Sequence, residues 1–328
     1  MSYATKPLAL DETLVRVAEA LEGGSTPVST RLEHIGSSIA PEFDATETYA
    51  VGACVMYNDV LYKCTTTHTG AWDASDFTPT TATDEGGGGG GLNVAANAGA
   101  HNAIYRGQSL GTSVSADQYA EIQAGTFGDM FIGDYWTIGG TVYRIAAFDY
   151  WLHCGDTECT THHVVLVPDT CIGENQKMND SNTTTGGYVG SKMYTTNLAS
   201  AKSTITSAFG SAHILSHREL LSNTVDSSGN ASSWSWYDSD IELMNEQMVY
   251  GGPCGSKPEA SSINYNMGID KSQLPLFALE PSRITNRANW WLRSVVSATR
   301  FASVYNNGSA DLGNASNALG VRPVFAIS

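Results

Sequence analysis

Trp290-Trp291-Leu292-Arg293-Ser294 and Gly320-Val321-Arg322-Pro323-Val324-Phe325 bracket a stretch of quite different character, Ser297 to Leu319. The flanks are aromatic and β-branched, each with one arginine, and they read as buried strands. Trp290, Trp291, Leu292, Val321, Val324 and Phe325 are expected to anchor a scaffold. The stretch between them holds Ser, Ala, Asn, Gly, Asp, Leu, Thr, Arg, Phe, Val and Tyr, and no Lys, Glu, Gln, Met or Trp. No codon ending in C encodes any of those five missing types, and every type present has one. Substituting the adenines of AAC converts Asn into the residue types found here. The stretch has the composition of an Asn-rich template diversified at adenines. A plain Asn/Ser/Gly surface loop would share that composition.

Working outward, residues 101–328 read as one α+β domain. Tyr135 to Ile138, Gly139-Gly140 and Thr141 to Ile145 form strand, turn and strand. His163 to Val167 is a buried strand ended by Pro168-Asp169. Leu198 to Phe209 predicts a helix stopped by Gly210. Ser216-His217-Arg218-Glu219 and Ser239-Asp240-Ile241-Glu242 both fit the S-x-x-E capping box, and the second predicts a helix facing inward with Ile241, Met244 and Met248. Leu276 to Leu279 reads as a strand.

Upstream, residues 81–100 read as a linker, because the six glycines Gly86 to Gly91 cannot hold structure. Residues 41–80 form a small β module, with Tyr49, Val51, Val55, Tyr57, Leu61 and Tyr62 alternating around the turn Tyr57-Asn58-Asp59. The spacing of Tyr49, Gly52, Val55, Tyr57, Leu61, Tyr62, Trp72 and Phe77 resembles the small chitin-binding type of carbohydrate-binding module, which stacks sugar rings on exposed aromatics. That resemblance implies sugar contacts at Tyr62, Trp72 and Phe77, with Phe77 standing where a second Trp is expected. Packing Trp72 and Phe77 as the module's own core is the alternative. Cys54 and Cys64 flank the hairpin and could face each other. Residues 1–40 carry Leu10, Leu14, Val17 and Leu21 at heptad spacing. This predicts a short N-terminal helix for docking or oligomerisation, closed by Gly23-Gly24.

The 328 residues allow two or three domains, and the composition bounds what they do. Charged residues are only 15%, and 17 Lys+Arg against 33 Asp+Glu leave a net charge of −16. Such a chain is not drawn to phosphate backbones, which excludes nucleic acid as an expected partner. No apolar run spans a bilayer, so membrane insertion is not expected. The N-terminus lacks a signal-peptide pattern, so an extracellular role implies another exit route, such as a virus particle. Six cysteines are too sparse for a disulfide scaffold and read as reduced packing residues.

Chemistry-bearing motifs are few. Gly107-Gln108-Ser109-Leu110-Gly111 matches the G-x-S-x-G nucleophile elbow, but the strand before it is short and no helix directly follows, so the glycines are expected to shape a turn. Cys154, Cys159, His162, His163 and Cys171 crowd together. Their sulfur and nitrogen atoms could hold zinc or simply pack; the spacing matches no common zinc pattern. There is no P-loop or dinucleotide fingerprint, and no cofactor is expected. No catalytic constellation emerges, and the chain is expected not to be an enzyme.

Gly133-Asp134-Tyr135-Trp136, His162 to Asp169, Trp290 to Ser294 and Gly320 to Pro323 together resemble a phage tail-fibre domain of unassigned function, found in prophages of gut Gram-positive bacteria. They are also similar to the variable proteins of diversity-generating retroelements, which carry a C-type-lectin-like fold of the formylglycine-generating-enzyme type. The resemblance implies an α+β chain with a C-type-lectin-like receptor-binding domain at 101–328, behind a small all-β module and a short N-terminal helix. It implies a phage tail receptor-binding protein, assembled in the host cytoplasm and acting outside the cell in the virion tail. Its expected partners are a bacterial cell-surface receptor, protein or glycan, other tail proteins, and further copies of itself, a trimer being favoured.

The implied ligand-binding surface is Thr299, Arg300, Phe301, Ser303, Tyr305, Asn306, Asn307, Ser309, Asp311, Leu312, Asn314, Asn317 and Leu319, with Arg300, Phe301 and Tyr305 as energetic anchors. Tyr, Ser, Gly and Asn suit such a surface, giving contact area and adaptable hydrogen bonds at low entropy cost. The oxidase relatives use a reactive cysteine pair, and only Cys254 lies beyond Cys171, so that activity is not expected. A second reading is a fixed-specificity carbohydrate-binding adhesin working through residues 41–80. A third is an enzyme using Ser109 or the Cys/His cluster.

Overall fold

A computed structural model describes residues 40–58, 60–80, 94–256 and 272–328. The expected N-terminal helix and the six-glycine run lie outside the described residues. The chain divides into two compact units, Met1–Asn93 and Val94–Ser328.

In the first unit, β1 (Thr48–Tyr49) pairs with β4 (His68–Thr69), and β2 (Cys54–Tyr57), β3 (Val60–Cys64) and β5 (Phe77–Pro79) form a three-stranded antiparallel sheet. The period-2 alternation turns Val55, Tyr62 and Cys64 to one face, the core side. Tyr49, Val55, Cys64 and Phe77 make the core, with Phe43, Tyr62 and Trp72 packed against it. So small a core leans on side-chain locks: Asp73 accepts the Ser75 amide at 2.9 Å, and His68 is 2.8 Å from Asp76. The ladder sets Cys54 opposite Lys63 and Cys64 opposite Phe77, so the two cysteines do not face each other.

The second unit is α+β. Its main sheet runs β13 (Ile241–Leu243), β18 (Pro323–Ile327), β9 (Val164–Pro168), β8 (Thr141–Phe148), β7 (Tyr135–Ile138), β6 (Ser109–Gly111). All neighbours are antiparallel except β6 and β7. Beside it stand the two-stranded ladder β10 (Gln176–Lys177) with β17 (Ala318–Leu319), the hairpin β11 (His217–Val225) with β12 (Ala231–Ser239), and a three-stranded sheet β14 (Trp290–Ser297), β15 (Arg300–Val304), β16 (Ala310–Asn314). Five α-helices are described in this unit: α1 (Ala98–His101), α2 (Ala116–Gln123), α3 (Ala199–Phe209), α4 (Glu246–Tyr250) and α5 (Pro275–Leu279). β9 and β18 are buried along their whole length, which matches their continuous apolar runs. Among the described residues no helix is long and apolar enough to cross a membrane.

Several expectations change. α1 begins inside the segment read as a linker. Ser216-His217-Arg218-Glu219 opens strand β11, because Glu219 is drawn into a buried ion pair with Arg293 at 2.6 Å instead of capping a helix. Ile241 and Glu242 lie on β13; the helix starts only at Glu246, where Asn245 accepts the Met248 amide at 2.8 Å. Leu276 to Leu279 is helical, started by Pro275 at its first position. Ser115 and Gln118 form a capping box for α2 that the sequence reading missed.

Candidate functional site

The expected binding residues fall on two surfaces. In the first unit, Trp72 is half-buried and its indole lies nearly parallel to two rings, Tyr57 at 4.0 Å and 11° and Phe77 at 4.4 Å and 16°. Two rings this close and this parallel cannot share one face of Trp72 without overlapping, so they cover opposite faces. The stack ends inward on Phe77, only 4% exposed, and outward on half-buried Tyr57. Tyr62 meets Trp72 edge-on at 4.8 Å and Phe43 does so at 5.1 Å. Phe77 is therefore core rather than contact surface, a correction to the expected set. Tyr57 replaces it at the surface, because Asn58 at φ 50 turns the chain directly after it, at the hairpin tip.

In the second unit, Arg293 and Arg322 are 1% and 0% exposed. Arg293 donates to Glu219 at 2.6 Å and to the Leu243 carbonyl at 3.3 Å, tying β14 to β11 and β13. Burial alone would raise the Glu219 carboxyl; Arg293 and His217 outweigh it and hold the pKa at about 2. Arg322 donates to the carbonyls of Pro168 (2.8 Å) and Arg283 (2.9 Å) and lies over Trp290. The motifs flanking the exposed stretch are thus locked into the core.

Between them, β15 is the middle strand of its sheet, with Phe301 opposite Gly313 and Ser303 opposite Asp311 on β16. Phe301 (0%) and Ser303 (1%) are buried, so neither belongs to a ligand surface and Phe301 is not an anchor. Thr299, Arg300, Tyr305, Asn306, Asn307, Ser309, Asp311, Leu312 and Asn317 are exposed; Asn314 and Leu319 are half-buried. The turn is already ordered. Tyr305 N–H donates to the Ser309 carbonyl at 2.8 Å, and Asn307 Oδ1 accepts from the Ser309 amide (3.0 Å) and hydroxyl (2.7 Å). Thr285 and Tyr250 clamp the carbonyls of Asn307 and Gly308 from outside at 3.0 and 3.1 Å. Little ordering entropy remains to be lost on binding.

The remaining motifs fall elsewhere. Ser109 lies on the exposed strand β6, where its Oγ accepts the Gly111 amide at 3.4 Å. His163 is buried; its Nδ1 donates to the Thr161 carbonyl (2.8 Å) and its Nε2 accepts the Trp151 amide (3.0 Å), while burial lowers its pKa to about 4. His162 bonds Asp149 at 2.7 Å. Cys154 is buried, the Cys159 thiol faces the Thr161 carbonyl, and Cys171 accepts from Asn286 at 3.2 Å. Among the described residues no group of His, Cys, Asp and Glu is arranged to hold a metal ion.

A polar cavity of about 330 Å³ opens beside β12 and α3, lined by Tyr194, Lys202, Asp240 and Glu242 among others. Burial raises the Glu242 carboxyl. Lys202, bonded to Asp240 (2.6 Å) and Glu242 (3.2 Å), is raised because those carboxylates outweigh its own burial. All these charges are mutually satisfied, which makes a structural knot.

Residues 42–83 match the model of carbohydrate-binding module family 5/12. A carbohydrate-binding module is present in this chain. Residues 239–328, from the end of β12 through β18, match a domain of unknown function, DUF6273. No curated protein matches the chain, and no solved structure does.

Proposed function

We propose that this chain is a non-catalytic recognition protein that binds the polysaccharide surface of a bacterial cell. The observation that carries the reading is the carbohydrate-binding module at residues 42–83. In it a sugar ring would extend the Phe77–Trp72–Tyr57 stack on the outer face of Tyr57, flanked by the Trp72 edge and Tyr62. Apolar C–H faces of sugars pack on aromatic rings, and N-acetylhexosamine chains of the chitin type suit such a row.

The finer reading is a phage tail receptor-binding protein with a C-type-lectin-like C-terminal domain and a diversified surface. Its support is the exposed set Thr299, Arg300, Tyr305 to Asn307, Ser309, Asp311 and Leu312, held on a frame whose own residues are buried. Side chains there can change without disturbing the core. In this reading the chain sits in the virion tail as a homo-oligomer beside other tail proteins, so many weak contacts add as avidity.

The experiment is adhesion of the full chain to candidate host cells, comparing wild type, Tyr57→Ala, and a Tyr305→Ser/Leu312→Ser double variant. Loss with the double variant supports the C-terminal surface as the receptor site. Loss with Tyr57→Ala alone supports a fixed adhesin working through the module. Adhesion untouched by either overturns the proposal.

A further inference from the structure

The loop between α5 and β14 forms one wall of a hollow of about 250 Å³, close to the lower end of small-ligand sites. Arg283, Arg287, Thr170, Thr285 and Asn286 line it, with Asp169 on the opposite wall. Arg287 is exposed and held at φ 61, an uncommon conformation for a long side chain. Among the described residues it makes no ion pair. Asp169 is taken by Arg144, which donates to both its oxygens at 2.7 and 2.5 Å; Arg283 stands 3.8 Å away. Arg283 itself is fixed by the Tyr105 hydroxyl, which accepts from Nε and Nη2 at 3.1 and 3.0 Å.

Directly beneath lies Arg322, fully buried, its guanidinium bonded only to backbone carbonyls, including that of Arg283. Burial pulls its pKa down to about 10, with Asp169 opposing. The guanidinium groups of Arg144, Arg283 and Arg322 therefore gather around Asp169, and Arg287 lines the same hollow from its exposed rim. Asp169 is the carboxylate that lines the hollow, and Arg144 already engages both its oxygens. The local excess is positive, in a chain of net charge −16 with only 17 Lys+Arg. Concentrated positive charge with too few partners favours a ligand that brings the missing negative one.

We propose that the Arg283–Arg287 hollow binds the anionic group, carboxylate or phosphate, of an acidic cell-surface polysaccharide. Arg287 reaches it from the rim, and guanidinium forks match either oxyanion. Thr170 adds a hydroxyl donor. Thr285, which forms part of the wall, also clamps the Asn307 carbonyl, so the anion lies beside the exposed Tyr305–Ser309 turn. The inference rests on the reading of the second unit as a recognition surface and names the chemistry of what it recognises.

The test titrates the full chain by calorimetry with D-glucuronate, with glycerol 1-phosphate and with neutral D-glucose, and repeats the series on Arg287→Glu and Arg287→Lys. Arg287 is exposed, so neither change touches the core. The expected result is that at least one anion binds about tenfold tighter than glucose, weakens with added salt, and loses about tenfold in Arg287→Glu, as one lost charge-assisted contact implies. The tighter of the two anions identifies the source. Equal binding of anions and glucose, or unchanged binding in Arg287→Glu, overturns the site. If the site fails while Tyr305→Ser/Leu312→Ser still abolishes cell adhesion, recognition stands and only its acidic chemistry falls.

Discussion

The Arg322 guanidinium lies 5.1 Å from the centroid of the Trp290 ring, so the two motifs that bracket the exposed stretch meet in the core. Phe277 contributes a second ring at 5.5 Å. Cation–π attraction is worth up to about 2 kcal/mol when desolvated, and it accompanies the hydrogen bonds to Pro168, Arg283 and Ile284. Removing the fork leaves those carbonyls unsatisfied, at about 1–3 kcal/mol each, a loss largely offset because Met brings no charge that must be desolvated. Arg322→Met is expected to lower unfolding free energy by roughly 2–4 kcal/mol, and Arg322→Lys to rescue little, since an ammonium cannot reproduce the fork. Urea unfolding followed by Trp fluorescence checks both. A midpoint unchanged in Arg322→Met would contradict the frame described here.

Substitution within the 297–319 stretch is tolerated only outside its buried positions. A Cβ on Gly313 would come within 2.5 Å of the Trp291 ring, Phe301 is packed into the main core, and Ser303 is buried. Gly313→Ser is expected to cost about 1–3 kcal/mol by overpacking, whereas Leu312→Ser and Tyr305→Ser stay within about 0.5 kcal/mol. Thermal melts of the three variants make the comparison; equal melting temperatures would refute it.

Acid should weaken the second unit in two stages. His163 is neutral when folded and takes its proton only near pH 4, against an ordinary value of 6.5. Its contribution is complete above pH 6.5 and is lost as pH falls towards 4. Glu219 stays ionised down to about 2 against an ordinary 4.5, so its contribution is lost as pH falls from 4.5 towards 2. Each stage is on the order of 3 kcal/mol. Glu242, raised chiefly by burial, acts in the opposite direction above pH 4.5 and so softens the upper stage. Urea midpoints measured across this range should fall in both windows, and a fall between pH 6.5 and 4 as steep in His163→Gln as in wild type would remove the role given to His163.

Local pattern carried part of this structure and long-range partners decided the rest. α3 was legible because Ala201, Ile205 and Phe209 recur four apart, and β7 and β8 because Gly139-Gly140 marks their turn. β11 was not legible: its Ser216-to-Glu219 pattern is that of a helix start, and the residue that overrides it, Arg293, lies 74 positions away. The frame around the exposed stretch could be read from its aromatic flanks. The burial of Phe301 could not, since it depends on the distant elements that pack over both faces of β15. Tyr57 was readable as a strand residue next to a turn. Its place at the end of a ring stack follows only from the packing of Trp72 against Phe77.

The most direct measurement is depletion of the full chain from solution by insoluble chitin, for wild type, Tyr57→Ala and Phe77→Ala. Wild type is expected to bind, and Tyr57→Ala to bind about tenfold more weakly while the module stays folded, losing only about 1 kcal/mol from the ring stacked on Trp72. Phe77→Ala should lose binding together with the module's fold, at roughly 3–5 kcal/mol. Wild type that stays in solution, or Tyr57→Ala that binds as wild type does, would contradict carbohydrate recognition by this aromatic stack.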